Sequence, residues 1–222
     1  MRKVIIGTAL ASVCAAVLVV SGCSENINEL KENARAQALS EPVMAAEETE
    51  EEETEEESVS PEQMDLIKYN YYVELNNEIV KLMDDIDYYY EVVEYDEEFA
   101  LIPDSGYTYG YRIRGFGKDL ADDCIQLADM EPAYETLDPL IKEMAEPLKE
   151  LMAAFSEVSR SNDYAANQYQ KAKELHAVIY PAADEFEPMG YEFIHAVSAV
   201  ADERIAAEEE EMKAEGRLIA YN

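Results

Sequence analysis

The sequence predicts an all-α fold, an antiparallel helical bundle of long, proline-kinked helices joined by one tyrosine- and glycine-rich inter-helix loop. Three observations predict it. Apolar residues recur at steps of three and four from Met64 to Val93, and do so again after Asp138 and after Asp163. Prolines stand where helices should begin, at Pro61 and Pro139, and half of the glycines fall in the single stretch Gly106, Gly110, Gly115 and Gly117. Residues three and four apart share one face of a helix, proline suits a first helical turn because its missing N–H has no partner there, and clustered glycines mark turns.

The first element precedes that bundle. Arg2 and Lys3 are followed by an apolar stretch from Val4 to Val20, broken by Gly7, Thr8 and Ser12, and then by Val20-Ser21-Gly22-Cys23. This order is the grammar of a secretion signal, so 1–22 reads as a signal peptide. The last four residues resemble the lipobox of bacterial lipoproteins, with Val20 where leucine is commoner. That resemblance implies a lipid on Cys23, fatty acids such as palmitate, and an exported protein anchored on the outer face or periplasmic side of the cell membrane. Two or more acyl chains make such attachment long-lived, at ~0.8 kcal/mol per buried methylene. The alternative is a signal left in place as a short membrane helix.

Residues 23–61 read as a lipid-anchored acidic linker. Ile27, Leu30 and Ala34 suit a short amphipathic helix, which is marginal alone in water. Glu47 to Glu57 then supplies nine glutamates and two threonines, a run that repels itself and buries nothing. The linker reaches ~130 Å at full extension and roughly 35 Å as a flexible coil. It reads as a solvated spacer, with binding of cations as the second reading.

Residues 62–222 form the helical domain. Ser60-Pro61-Glu62-Gln63 combines a serine cap, a first-turn proline and a capping-box glutamine. Met64, Ile67, Tyr71, Leu75, Ile79, Leu82, Ile86, Tyr90 and Val93 then form a stripe about eight turns long. Asp84, Asp87, Glu91 and Glu94 align on another face and read as solvated, because no calcium-loop pattern accompanies them.

Between Ala100 and Lys118 the helical pattern stops. Tyr107, Tyr109, Tyr111 and Ile113 alternate with Thr108, Gly110 and Arg112, the pattern of a short strand or an extended loop. Tyr107, Tyr109 and Tyr111 with Arg112 and Arg114 make this the candidate ligand-binding surface, suited to a sugar or an acidic ligand. The competing role for these rings is to cover the end of the bundle.

A helix follows over Asp119 to Met130, with Leu120, Cys124 and Leu127 on one side. Cys124, in that apolar setting, reads as a small buried hydrophobe. Asp138-Pro139 reads as the cap and first position of a helix carrying Ile141, Met144, Leu148, Leu151, Met152, Phe155 and Val158, kinked at Pro147. Ser159 to Asp163 is a turn. The last helix starts at Tyr164 and carries Leu175, Ile179, Phe186, Phe193 and Val197, with Pro181 and Pro188 splitting or bending it. After Gly216, the segment Arg217 to Asn222 is apolar enough to open a further helix.

Tyr69-Asn70-Tyr71-Tyr72-Val73-Glu74-Leu75-Asn76, Asn162-Asp163-Tyr164 and Lys171-Ala172-Lys173-Glu174-Leu175-His176 resemble the YiiG-like bacterial lipoproteins. The resemblance covers most of 64–222, implies an all-α lipoprotein domain of unknown function and carries over no active-site residue. Ala165 and Ala166 stand where that family has acidic residues, and the final helix is expected to be cut short.

Composition narrows the function classes. Asp+Glu number 50 against Lys+Arg 17, a formal charge of -33, which sets nucleic acid aside because phosphates are bound through clustered bases. Glu192 and His195 have the Glu-x-x-His spacing of di-iron bundles, a weak metal-binding candidate because such sites need a second pair and two more glutamates. No Gly-x-Ser-x-Gly elbow and no phosphate-cradling glycine motif occurs. The reading is a lipid-anchored protein, leaning away from an enzyme, with no cofactor expected, that meets an envelope protein or ligand. A metal-uptake protein or enzyme with a site between helices, and a structural envelope component, are the alternatives.

Overall fold

The computed structural model describes residues 60–106, 108–117, 119–160 and 165–216. The signal segment 1–22, Cys23, the glutamate tract, Tyr107, Lys118, Tyr164 and the stretch after Gly216 lie outside the described residues. The chain divides into two units, Met1–Ser60 and Pro61–Asn222, and the second holds the helices described here. These are α1 (Pro61–Val92), α2 (Asp119–Leu127), α3 (Leu137–Arg160) and α4 (Gln170–Ala214), an all-α bundle.

Side-chain partners fix the directions. Lys68 near the start of α1 meets Asp138 at the start of α3, and Tyr89 near its end meets Phe155 near the end of α3, so these two helices run the same way. Asp65 pairs with Arg204 and Tyr89 with His176, which sets α4 antiparallel to α1. Lys149 pairs with Asp122 and Lys142 with Asp129, which sets α2 antiparallel to α3. The order is up, down, up, down, with α3 on α4 the most extensive contact.

The core follows the periodicity, with a wider face on α1 than one stripe provides. Met64, Ile67, Leu75, Ile79, Leu82 and Ile86 are buried as expected, but so are Lys68, Tyr72, Asn76, Met83, Asp85 and Tyr89, while Tyr71 and Tyr90 are only half-buried. The cause is that α1 touches α2, α3 and α4, so three sides of it leave water. Asp84, Asp87, Glu91 and Glu94 are exposed, as a solvated face should be.

Prolines do not split the helices. Pro147 lies inside α3, and Pro181 and Pro188 inside α4, both of which run unbroken. A proline at i removes the donor to the carbonyl at i−4; those carbonyls belong to Glu143, Ala177 and Asp184, all exposed residues where water can replace the lost N–H.

Of the two alternatives for the tyrosine-rich stretch, the loop holds and the strand does not, and the last helix starts later than expected. The stretch Thr108 to Ile113 folds as turns, with Tyr111 N–H donating to Thr108 O (3.1 Å) and Ile113 N–H to Gly110 O (3.3 Å). Gly110 sits at φ +75°, which breaks the alternation a strand needs; among the described residues the only strand-like pairing is an isolated bridge between Val93 and Leu101. The last helix starts at Gln170, six residues after Tyr164, because Asn167, Gln168 and Tyr169 are all left-handed and interrupt right-handed winding.

Candidate functional site

The tyrosine-rich loop is distributed over the end of the bundle. Tyr109 turns inward, buried edge-on against Tyr89 (5.9 Å between centroids) and Phe99 (5.8 Å). Tyr111 turns outward and is 82% exposed. Arg112 lies over the Tyr88 ring at 5.3 Å, and the Tyr88 hydroxyl donates to Thr108 O at 2.8 Å. Arg114 is held by α1: its backbone N–H donates to Asp85 Oδ2 (2.8 Å), its Nε and Nη2 to Asp85 Oδ1 (both 3.0 Å), and Nη2 also to Lys81 O (2.9 Å). The loop's two arginines therefore staple it to α1, while Tyr109 and Tyr111 part. Burial pushes the Asp85 carboxyl up, against the lowering effect of Arg114.

Behind this loop stands a feature that periodicity does not reveal. His176 is buried on α4, with Nδ1 2.9 Å from the Tyr89 hydroxyl and Nε2 2.8 Å from the Asp96 carbonyl. A carbonyl only accepts, so Nε2 carries a hydrogen, and in the neutral ring Nδ1 accepts from the Tyr89 O–H. Burial and its neighbours Tyr109 and Tyr90 push the Tyr89 phenol far up, so it stays protonated. Phe99 touches His176 (5.7 Å), Tyr109 (5.8 Å) and Tyr169 (6.0 Å), which makes one aromatic cluster from α1, α4 and the connections between helices.

The loop and this cluster border a cleft of about 390 Å³, lined among others by Val92, Ile102, Asp104, Ser105, Thr108, Tyr109 and Tyr169. Among the described residues, Asp104 and Tyr169 are two of four non-glycine residues at positive φ, and Asn167 and Gln168, next to Tyr169, are the other two. Backbone held in that region costs of order 1–3 kcal/mol per residue and tends to gather at functional sites. Rings on one side and a carboxylate and hydroxyls on the rim give the cleft both apolar and polar surface, the make-up of ligand clefts.

At the other end of the bundle lies a second polar cluster. Lys68 is wholly buried, and its ammonium donates to Met130 O (2.7 Å), Pro132 O (3.0 Å) and Asp138 Oδ2 (2.8 Å). Asp138 also accepts from the Tyr72 hydroxyl (2.6 Å) and the Tyr134 N–H (2.8 Å). Asp138 thus serves the connection before α3 and α1, where the sequence reading made it a helix cap. Outward from it, Arg204 pairs with Asp65 (2.5 Å), donates to the Tyr134 hydroxyl and lies over the Tyr69 ring at 4.2 Å. Burial and the bond to Asp65 push the Tyr134 phenol up to about 12.

The remaining candidates stay apart. Glu192 and His195 are both exposed on α4, and no group of three or more His, Cys, Asp or Glu placed to hold a metal occurs among the described residues. Cys124 is buried, its thiol 3.5 Å from Tyr71 O and pushed up by burial, as expected of a small hydrophobe. Among the described residues no helix is long and apolar enough to cross a membrane. Cys23 and Tyr107 are outside the described residues.

The profile of a family described as proteins of unknown function, DUF3829, matches residues 63–222. The match spans most of the chain, and the chain belongs to that family. No curated protein and no solved structure matches it.

Proposed function

We propose that this member of the DUF3829 family is a lipid-anchored envelope protein, held through Cys23 on an acidic spacer, that acts as a non-enzymatic binding module. The anchor is supported by the charged start, apolar stretch and Val20-Ser21-Gly22-Cys23 in that order, and by the resemblance to YiiG-like lipoproteins. The single observation that carries the binding role is the cleft of about 390 Å³ beside the tyrosine-rich loop, walled by Tyr109 and Tyr169 and rimmed by Asp104, Ser105 and Thr108. Arg112 and Arg114 are engaged on α1, so the polar part of the cleft is a carboxylate and hydroxyls. That favours a neutral, hydroxyl-bearing ligand such as a sugar over an acidic one.

Two measurements separate the parts of this reading. Metabolic labelling with a fatty acid should mark the intact protein and spare Cys23→Ala; label on the variant refutes the anchor. A photo-crosslinking side chain placed at Thr108 should capture a specific adduct in intact envelopes, and one placed at exposed Glu143 on α3 should not. Equal capture at both positions removes the binding role.

A further inference from the structure

A second cleft, of about 620 Å³, opens between the start of α1, the connection before α3 and the later part of α4. Its α4 wall includes the small side chains Ala196, Ala199 and Val200, which leave methyl surface facing the opening. Its charge is one-sided. Among the described residues Arg204 is the one base in the lining, and it is already taken, paired with Asp65, bonded to the Tyr134 hydroxyl and stacked on Tyr69. Glu135 and Glu203 also line the cleft, are exposed, and have no cation paired with them among the described residues.

We infer that this cleft docks a basic amphipathic segment of a partner protein, with its apolar side chains on Ala196, Ala199 and Val200 and its lysines or arginines against Glu135 and Glu203. Charge complementarity selects this occupant. A purely apolar segment would cover two carboxylates without giving them partners, which is unfavourable, and an acidic segment would add like charge to them. An anion has no base to bind, because Arg204 is spent on Asp65 and Tyr134. The formal charge of -33 draws cationic partners from a distance, and the small wall lets a segment seat closely once it arrives. This site is separate from the cleft beside the tyrosine-rich loop and does not depend on it.

The test is fluorescence anisotropy with the full chain in nonionic micelles and a labelled leucine–lysine peptide patterned as an amphipathic helix. A scrambled peptide of the same composition serves as the comparison. Glutamates 47–57 are replaced by serine and glutamine in every sample so that the spacer does not compete for lysine. The patterned peptide should bind about tenfold more tightly than the scrambled one, and salt should weaken it. Ala199→Trp, at an exposed position, should fill the cleft and abolish binding with thermal stability kept, and Glu135→Gln with Glu203→Gln should weaken binding about tenfold. Equal affinity for the two peptides, or binding unmoved by the paired glutamine substitutions, overturns the inference and leaves only non-specific attraction to an acidic protein.

Discussion

The Lys68 ammonium and the Asp138 carboxylate lie 2.8 Å apart inside the bundle, with Lys68 wholly buried and every bond of its ammonium directed to an acceptor. A buried ion pair of this kind contributes little net stability against an apolar replacement, but breaking one side leaves the other charge stranded, at about 3–5 kcal/mol. Lys68→Ala and Asp138→Ala should each lower unfolding free energy by about that amount. The double substitution should cost clearly less than the sum, because no lone charge remains. Urea denaturation of the four proteins measures this, and additive losses would show that the pair is not coupled.

Asp85 and Arg114 give a prediction about pH. Burial raises the Asp85 carboxyl above its ordinary value of 3.8 despite three bonds from Arg114. In the interval from about 3.8 up to the raised folded value, the folded state holds more protons than the unfolded state. Stability contributed by Asp85 is therefore lost as pH rises through that interval. Many other acids titrate there, so the comparison is with Asp85→Asn. The stability of the wild type relative to the variant should fall between pH 3 and the raised value, then level off. A difference that grows with pH would mean that Arg114 outweighs burial.

Much of the fold was legible because helices that bury one stripe repeat their apolar residues at a fixed step. Met64, Ile79, Leu148 and Phe193 are placed by that rule alone, and Ser60-Pro61 gives the start of α1 to the residue. Polar residues on buried faces were not legible. Lys68, Asp85 and His176 look like surface residues in the sequence, and their partners Asp138, Arg114 and Asp96 lie 29 to 80 positions away. No local pattern encodes a contact between distant elements. The loop arginines show the same limit: composition marked Arg112 and Arg114 as free to bind, and only the positions of Tyr88 and Asp85 reveal that they are engaged. The left-handed run Asn167 to Tyr169 had one faint signal, the asparagine, which tolerates that conformation better than most residues.

At Gly190, α4 packs directly against Met83 of α1. A Cβ there would overlap the Met83 methyl and sit 3.1 Å from two Phe186 ring carbons. The methionine tip can swing aside, and alanine gains about 1 kcal/mol of helix propensity over glycine. Gly190→Ala should therefore change stability by less than about 1 kcal/mol in either direction. Gly190→Leu has no such escape and should cost about 1–3 kcal/mol or more, as overpacked cores do. Thermal unfolding of both variants decides it, and a leucine tolerated as well as alanine would mean that the helices can part here.

His176 joins three parts of the chain, with Tyr89 on α1, its own place on α4 and the Asp96 carbonyl in the connection after α1. The connection itself is held by short backbone bonds, from Glu94 N–H to Ala100 O (2.8 Å) and from Ile102 N–H to Val92 O (2.9 Å). His176→Phe keeps a ring in the aromatic cluster but leaves the Tyr89 hydroxyl without that acceptor and the Asp96 carbonyl without its donor. The buried Tyr89 hydroxyl left unpaired costs about 1–3 kcal/mol, whereas Asp96 is exposed and its carbonyl can turn to water. The loss should concentrate locally, because local opening draws on the least-packed bonds first. Hydrogen exchange should quicken at the Glu94 and Ile102 amides well before the centre of α3 responds. Adding Tyr89→Phe to His176→Phe should restore part of the stability, since the orphaned hydroxyl is then gone. Uniform quickening across all helices would instead mean that His176 supports the whole bundle, and that the connection is not a separately opening unit.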